Sequence, residues 1–308
     1  MIWPFRRAAP SRANRITIRP PAPVDQRGGL ALVLIARNEA ARIGDWLAFH
    51  ALAGVSHIYL YDNGSTDQTA RIVREFTGCA TTIIPWVLDT SEGKTGMILP
   101  RQVLAYAHAI CTFGGAYQRM GFIDTDEYLV PRNALTLPEA LAGMEATNLS
   151  LPWTMFGHNG HDIAPTDAVP FAFQKRAQVA AGPLLNFKCI VDPCDVTQVS
   201  THKFQTASQG DHSSNTLGQR ERNAQRTGAF VTREVVQLNH YYLMSKAETA
   251  AKIAGPAVSG TSQDQRAAAI MRKAAIIEEA PVTDTAAVDF LARHGIATSQ
   301  ELRNRFAG

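Results

Sequence analysis

Short apolar runs alternate with helical patterns over the first 130 residues, and this alternation constrains the fold more than any other feature. The runs LALVLIA at 30–36, HIYLYD at 57–62, ATTII at 80–84 and RMGFID at 119–124 have the length of strands. Between them, apolar residues recur at helical spacing. Continuous apolar runs of this kind are typical of strands that are buried on both faces. The sequence therefore predicts an α/β fold with a doubly wound, mixed but mainly parallel sheet flanked by helices.

Changes in composition along the chain predict its domain organisation. Residues 1–28 are rich in Pro and Arg, which predicts a flexible basic tail. One domain is expected over 29–255, with halves at 29–130 and 131–255, and the Ala-rich segment 256–308 is expected to form C-terminal helices. The polar stretch 204–230 is predicted to be a mobile loop. The strands predicted in the second half are 149–153, 170–176, 186–191 and 233–239.

Charge and cysteine usage narrow the class of protein. A net charge of +3 argues against a nucleic-acid-binding protein. The four cysteines show no metal-binding spacing, so we expect them to be reduced and the protein to be cytoplasmic. No apolar run has the length of a membrane span. The N-terminal tail lacks the apolar core of a signal peptide, but Trp3, Phe5, Arg6 and Arg7 predict a weak peripheral contact with the inner face of the cell membrane.

Polar clusters follow three of the predicted strands, at residues 37–39, 62–65 and 124–127. Because ligands bind beyond the carboxyl ends of parallel strands, we expect these clusters to converge on one site. Asp62 can accept hydrogen bonds from a nucleobase or a ribose, and the Asn-Gly turn after it allows a ligand to approach the backbone closely. A well-formed connection between strand and helix explains the same residues without a ligand.

The segment DTDE at 124–127 carries the strongest chemical signal. Asp124 and Asp126 share one face of an extended segment, where their charges repel unless a cation neutralises them. Mg²⁺ or Mn²⁺ does this while substrate phosphates complete its coordination. The alternative is a turn or helix cap with solvated acids. An EF-hand loop is excluded because Tyr128 and Leu129 stand where it needs an Asp or Asn and a Gly.

The residues LVLIARNEAARIGDWLAFHALAGVSHIYLYDNGSTDQT and GFIDTDEYL together resemble glycosyltransferases of the family 2 and family 92 types, which have the Rossmann-like GT-A fold. The family 92 pattern adds W-x-x-F-G, K-x-I and a late H-Y, which this chain carries at 153–157, 188–190 and 240–241. The resemblance covers roughly residues 30–255. Asn63 departs from the family 2 pattern, and no clear Glu-Asp pair supplies the catalytic base.

The resemblance implies a metal-dependent, inverting enzyme of surface polysaccharide synthesis. It would move a sugar from a nucleotide-diphospho-sugar, expected to be a UDP-sugar, to a glycan or lipid-linked acceptor. The half 29–130 would then bind the nucleotide and the half 131–255 the acceptor. A nucleotidyltransferase is the alternative enzyme, although the Gly-rich loop of that class is missing. A non-catalytic protein that binds nucleotide-sugars or glycans is the alternative from another class.

Site residues follow from the same resemblance, each beside a plainer structural explanation. The donor would be bound by Arg37, Glu39, Asp62, Gln102 and Asp124, and the cofactor, Mn²⁺ or Mg²⁺, by Asp124, Asp126 and a histidine, either His240 or His202. Asp162 is the candidate catalytic base, although a loop carboxylate without a catalytic role is also expected there. Trp153 and Phe156 would stack on the acceptor sugar, or else belong to the core.

Overall fold

The computed structural model describes residues 11–255 and 262–306. Its strands are β1 (Arg15–Thr17), β2 (Leu30–Ala36), β3 (His57–Asp62), β4 (Ala80–Pro85), β5 (Thr90–Ser91), β6 (Ile98–Leu99), β7 (Arg119–Phe122), β8 (Glu127–Pro131), β9 (Asn148–Met155), β10 (Lys175–Arg176), β11 (Phe187–Val191), β12 (Val196–Ser200), β13 (Gln205–Thr206), β14 (His212–Ser214), β15 (Arg220–Arg222), β16 (Val236–His240) and β17 (Val282–Thr283). Its helices are α1 (Ile43–Leu52), α2 (Thr69–Glu75), α3 (Arg101–Phe113), α4 (Leu137–Ala140), α5 (Val169–Ala172), α6 (Lys246–Ala254), α7 (Gln263–Glu279), α8 (Ala286–Arg293) and α9 (Ser299–Asn304).

The first half of the chain forms a parallel sheet in the order β4, β3, β2, β7. In chain order these are its third, second, first and fourth main strands, so the direction of winding reverses between β2 and β7. In sheets of this kind ligands bind where the winding reverses, beyond the carboxyl ends of the strands. The predicted α/β architecture, with a parallel first half and C-terminal helices, is confirmed.

β2 is buried on both faces, as its apolar run predicts. Leu32 and Leu34 of β2 belong to a core that also contains α1 and the described C-terminal helices. Ala31 and Val33, which point to the opposite face, belong to a second core with α3. Alternate residues of one strand thus contribute to two cores, and an apolar side chain is needed at every position.

The second half extends the sheet with antiparallel and parallel pairs. β11 runs antiparallel to both β7 and β9, whereas β16 runs parallel to β9 and antiparallel to β8. The register of β16 places His240 opposite Glu127 of β8 and Met155 of β9. The strand pairing therefore brings His240 to the DTDE segment from more than a hundred residues further along the chain.

Two sequence predictions for the second half are wrong. Residues 204–230 are not a mobile loop, because they contain β13, β14 and β15 and bury polar side chains through hydrogen bonds. Arg226 donates to Ser150 Oγ at 2.6 Å, and its guanidinium carbon lies 4.2 Å from the centroid of the Phe187 ring. Residues 170–176 are not one strand: 170–172 belong to α5, and 175–176 form β10.

Residues 11–28 do not form the flexible tail that was predicted for residues 1–28, so that prediction is wrong for them. β1 pairs with β12, and the Arg27 guanidinium donates to both carboxylate oxygens of Asp192, at 2.6 and 2.8 Å. The predicted membrane contact through Trp3, Phe5, Arg6 and Arg7 lies outside the described residues. Within the described ranges, helices are too short or too polar to span a bilayer.

Candidate active site

The carboxylate of Asp124 is held from two sides, just beyond the end of β7. Gln102 of α3 donates its amide hydrogen to Oδ1 at 2.9 Å, and Lys188 of β11 donates to Oδ2 at 2.8 Å. Lys188 is fully buried. Burial alone would lower the pKa of Lys188, but the charges of Asp124 and Glu127 outweigh it and raise that pKa well above its usual value. Lys188 is therefore a fixed positive charge behind Asp124.

Glu127 braces the turn that carries both aspartates. Its buried carboxylate accepts the indole N–H of Trp153 at 2.7 Å and the backbone N–H of Asp124 at 2.8 Å. Its Oε2 also lies 3.5 Å from Nζ of Lys188. Burial raises the pKa of Glu127 above its usual range. Its oxygens are engaged inside the protein, so Glu127 positions the aspartates and does not face a ligand.

Asp126 faces a histidine and a lysine from the second half of the chain. Its Oδ2 lies 3.4 Å from Nε2 of His240 and 3.2 Å from Nζ of Lys252. Burial would raise the pKa of Asp126, but His240 and Lys252 together bring it below its usual range. Burial also lowers the pKa of His240, which is therefore neutral near pH 7. Lys252 is consequently the permanent cation beside Asp126.

The structure brings both predicted histidines to one indole ring. The centroid of the Trp153 ring lies 4.4 Å from that of His240 and 5.4 Å from that of His202. His202 Nδ1 lies 3.0 Å from the carbonyl oxygen of Phe187, and a carbonyl only accepts, so Nδ1 carries the proton. Burial lowers the pKa of His202 to about 4. This neutral ring keeps the lone pair of Nε2 for a ligand, a state that metal-binding histidines share.

The donor set fits a hard divalent cation by its chemistry. Two carboxylates, Asp124 and Asp126, stand beside neutral His240, whose buried Nδ1 has no hydrogen-bond partner. Carboxylate oxygens with an imidazole nitrogen suit Mn²⁺, and carboxylates with phosphates suit Mg²⁺. Across residues 11–255 and 262–306, however, no three acidic, histidine or cysteine side chains converge closely enough to complete a metal site by themselves. Ligands from a substrate would have to complete it.

The loops after β2 and β3 are tied together beside this cluster. Asn38, at a left-handed φ of 59°, accepts the backbone N–H of Thr66 at 2.8 Å and donates its own to Ser65 Oγ at 3.1 Å. Asp62 accepts the backbone N–H of Ser65 at 2.9 Å. Arg37 is exposed at the end of β2. Three of the predicted donor residues, Arg37, Glu39 and Asp62, therefore lie on one braced pair of loops.

Glu39 points towards the aspartates. Burial raises the pKa of Glu39 to about 7, and the negative charge of Asp126 adds to this effect. Its backbone N–H donates to Thr69 Oγ1 at 2.7 Å, which fixes the loop on α2. The resemblance places Glu39 at the nucleoside, whereas the structure places it between that loop and Asp126.

Other predicted residues have different surroundings from those expected. Gln102 donates to Tyr106 Oη and to Asp124, both at 2.9 Å, so its amide nitrogen orients a carboxylate. Phe156 is fully buried, 4.6 Å from the Tyr241 ring, so it belongs to the core and the acceptor-stacking prediction is wrong for it. Trp153 is 7% exposed and forms the floor of the site.

Asp162 lies on the surface of the protein. Its side chain is 78% exposed and lies 2.8 Å from Nζ of Lys246. The hydrogen bond from Lys246 lowers the pKa of Asp162, which weakens it as a base. Its catalytic role stays a prediction that this geometry does not favour.

Lys188 and Lys252 are the functional side chains that sequence reasoning did not assign. Lys188 lies in the K-x-I motif that carries the resemblance, and Lys252 follows the late H-Y in the chain. The signal was therefore present, but their position against Asp124 and Asp126 depends on the pairing of β11 with β7 and on the placement of α6.

The motifs that surround this site are those of one sequence family. The pattern of glycosyltransferase family 92 matches residues 35–260, which include all three polar clusters and Lys252. The chain belongs to glycosyltransferase family 92. Two curated family 92 proteins are similar to it: one from Ricinus communis is 23% identical over 48% of this chain and 26% of its own length. One from Oryza sativa subsp. japonica is 22% identical over 48% of this chain and 24% of its own length. The chain thus spans about a quarter of these family 92 relatives.

Solved structures show a partial likeness. TarS 1–349 from S. aureus, solved in complex with UDP-GlcNAc, is 16% identical with a TM-score of 0.33, covering 54% of this chain and 45% of that chain. Glucosyl-3-phosphoglycerate synthase from Mycobacterium tuberculosis, solved with Mn²⁺, UDP-glucose and phosphoglyceric acid, is 20% identical with a TM-score of 0.26. That alignment covers 43% of this chain and 44% of the synthase chain. These values assign no ligand or residue to the family 92 chain.

Proposed function

We propose that this family 92 chain transfers a sugar from a nucleotide-diphospho-sugar, a UDP-sugar, to a glycan or lipid-linked acceptor in surface polysaccharide synthesis. The reaction is inverting and takes place in the cytoplasm, at the inner face of the membrane. One observation carries the proposal: Asp124 and Asp126 stand where the winding of the sheet reverses, beside the braced loops of Asp62. Family membership supports the same assignment.

Each group of residues has a separate task in this proposal. Arg37 and Asp62 take the nucleoside. Asp124, Asp126 and His240 would hold Mn²⁺ or Mg²⁺, with His202 as the alternative histidine. When bound there, the cation would supply positive charge to the diphosphate leaving group. Lys188 and Glu127 keep the two carboxylates in position before the donor arrives, so that binding does not have to order them.

The first test is a calorimetric titration of UDP, and then GDP, with and without Mn²⁺. We expect UDP binding that Mn²⁺ strengthens, and the variant Asp126→Ala should weaken it at least about tenfold, as loss of metal-site groups does. Asp25→Ala removes an exposed carboxylate elsewhere and should leave the affinity unchanged. If neither nucleotide binds with Mn²⁺ present, the donor assignment is wrong.

A second measurement separates an enzyme from a binding protein of the same fold. Incubation with UDP-sugars, Mn²⁺ and acceptor glycans should release UDP, and Asp126→Ala should abolish the release. Tight, Mn²⁺-dependent UDP binding without release from any UDP-sugar would favour the non-catalytic alternative.

A further inference from the structure

Two lysines lie against the aromatic rings of Tyr242 and Trp153, which form a floor beside Asp126. Nζ of Lys252, on α6, lies 4.3 Å from the centroid of the Tyr242 ring. Nζ of Lys273, on α7, lies 4.8 Å from the same centroid and 5.6 Å from that of Trp153. Cations are held against aromatic rings at such distances. Both ammonium groups therefore lie against the Tyr242 ring, whose centroid is 5.3 Å from that of His240.

The two lysines differ in their partners. Lys252 donates to Asp126 Oδ2 at 3.2 Å and to the carbonyl oxygen of Tyr242 at 3.0 Å. Lys273 is half-buried, yet no carboxylate in the described part of the chain forms an ion pair with it. Burial and the charge of Lys252 lower the pKa of Lys273. A half-buried cation beside another cation is costly unless an anion joins them.

Donor binding would increase this excess of positive charge. Asp126 is the carboxylate that compensates Lys252, and the proposed function assigns the same carboxylate to a divalent cation. If Asp126 binds that cation, its negative charge is shared between the cation and Lys252. An oxyanion between the two lysines would restore the balance and accept charge-assisted hydrogen bonds from both ammonium groups.

We propose that Lys252 and Lys273, on the floor formed by Tyr242 and Trp153, bind a phosphate- or carboxylate-type oxyanion during the reaction. This inference rests on the proposed function for its place beside the donor site. The oxyanion has two possible sources, the diphosphate of the donor or an anionic group on the acceptor. In the second case the acceptor of this enzyme is itself negatively charged.

The test uses the whole chain and three variants of α7. Lys273→Gln removes the charge and keeps most of the length, and Lys273→Arg restores the charge. Arg272→Gln is the matched control, because it removes one charge from the exposed neighbouring position of the same helix. The probes are UDP with Mn²⁺, and inorganic phosphate added to the free protein and to the protein saturated with UDP and Mn²⁺. Circular dichroism confirms that each variant is folded.

The pattern of affinities identifies the source. If the subsite takes the donor diphosphate, Lys273→Gln lowers the affinity for UDP about tenfold, and phosphate competes with UDP for binding. If the subsite takes an acceptor group, Lys273→Gln leaves the affinity for UDP unchanged. Phosphate then binds alongside UDP, and the variant lowers the affinity for phosphate about tenfold. Recovery in Lys273→Arg is expected in both cases.

The proposal is overturned if Lys273→Gln binds both probes as tightly as the wild type does. It is also overturned if Arg272→Gln lowers the affinity for the probes as much as Lys273→Gln does. Failure of the proposed function gives a different result. In that case UDP does not bind to the wild-type chain at all, while phosphate still binds and still depends on Lys273.

Discussion

The carboxylate of Glu127 shows how a single buried residue sets the geometry of the site. It joins the indole of Trp153, which lies between the two histidines, to the backbone of Asp124. The peptide carbonyl of Glu127 also accepts the indole N–H of Trp46 at 2.8 Å, which ties the turn to α1. Buried acceptors of this kind act by orienting the groups that do bind ligands.

Replacing Glu127 by glutamine tests this role. An amide offers one acceptor oxygen, so either Trp153 or the N–H of Asp124 loses its partner, at a cost of about 1–3 kcal/mol in the free energy of unfolding. Since Asp124 is then less well fixed, Mn²⁺-supported UDP affinity should fall about tenfold to hundredfold. Urea unfolding and calorimetry measure the two effects. Glu279→Gln changes an exposed glutamate and should alter neither; unchanged stability in Glu127→Gln would refute the bracing role.

The chemical role of a residue could be predicted from the sequence where the residue belongs to a recognisable motif. It could not be predicted where tertiary packing decides which partner the residue contacts. The spacing of Asp124 and Asp126 and the late His240 led to one cluster, which the structure contains. The partners of the two aspartates, Lys188 and Lys252, come from distant elements. No local pattern distinguishes a lysine that will be buried against a carboxylate from one that will be solvated.

At the scale of elements, α1 and β8 are joined through the buried ring of His50. Its Nδ1 lies 2.9 Å from the carbonyl oxygen of Trp46, and its Nε2 accepts the backbone N–H of Leu129 at 3.2 Å. One nitrogen therefore donates and the other accepts, a state that only the neutral ring can supply. Burial lowers the pKa of His50 to about 3.

This contact predicts a loss of stability in acid. The unfolded chain takes up a proton on His50 near pH 6.5, whereas the folded chain resists it down to about pH 3. Stability should therefore fall as the pH drops through this window, by up to about 1.4 kcal/mol per pH unit from this one residue. His50→Gln should be less stable at pH 8 and should show a flatter dependence on pH. Urea unfolding from pH 8 to pH 4 measures both, and a slope equal to that of the wild type would contradict the prediction.

Strands were predicted correctly from the sequence where their buried side chains are apolar. The parallel strands were predicted within one or two residues because their apolar side chains contribute to the two apolar cores. The segment 204–230 was misjudged because its polar residues are buried through hydrogen bonds. Asn223, for example, is 3% exposed and donates its side-chain amide to the carbonyl oxygen of Phe204. In a sequence, such residues resemble those of a solvated loop.

At the scale of the whole molecule, the described C-terminal helices pack on the first helix of the sheet. The ring of Phe290 on α8 lies 4.9 Å from that of Phe49 on α1. Arg303 on α9 donates to both carboxylate oxygens of Asp45, at 2.9 and 2.8 Å. Because α1 also supports the turn of Glu127, the C-terminal helices and the active site share one core.

Shared packing predicts that the molecule unfolds as one unit. Truncating Phe290 to alanine leaves a cavity against α1 and should cost about 3–5 kcal/mol. The loss should appear equally in the fluorescence of the four tryptophans, which include Trp46 and Trp153 near the site, and in far-ultraviolet circular dichroism, which follows the helices. Met271→Ala, at an exposed position of α7, should change stability little. Two separated transitions in Phe290→Ala, with circular dichroism changing before fluorescence, would show instead that the C-terminal helices unfold as an independent unit.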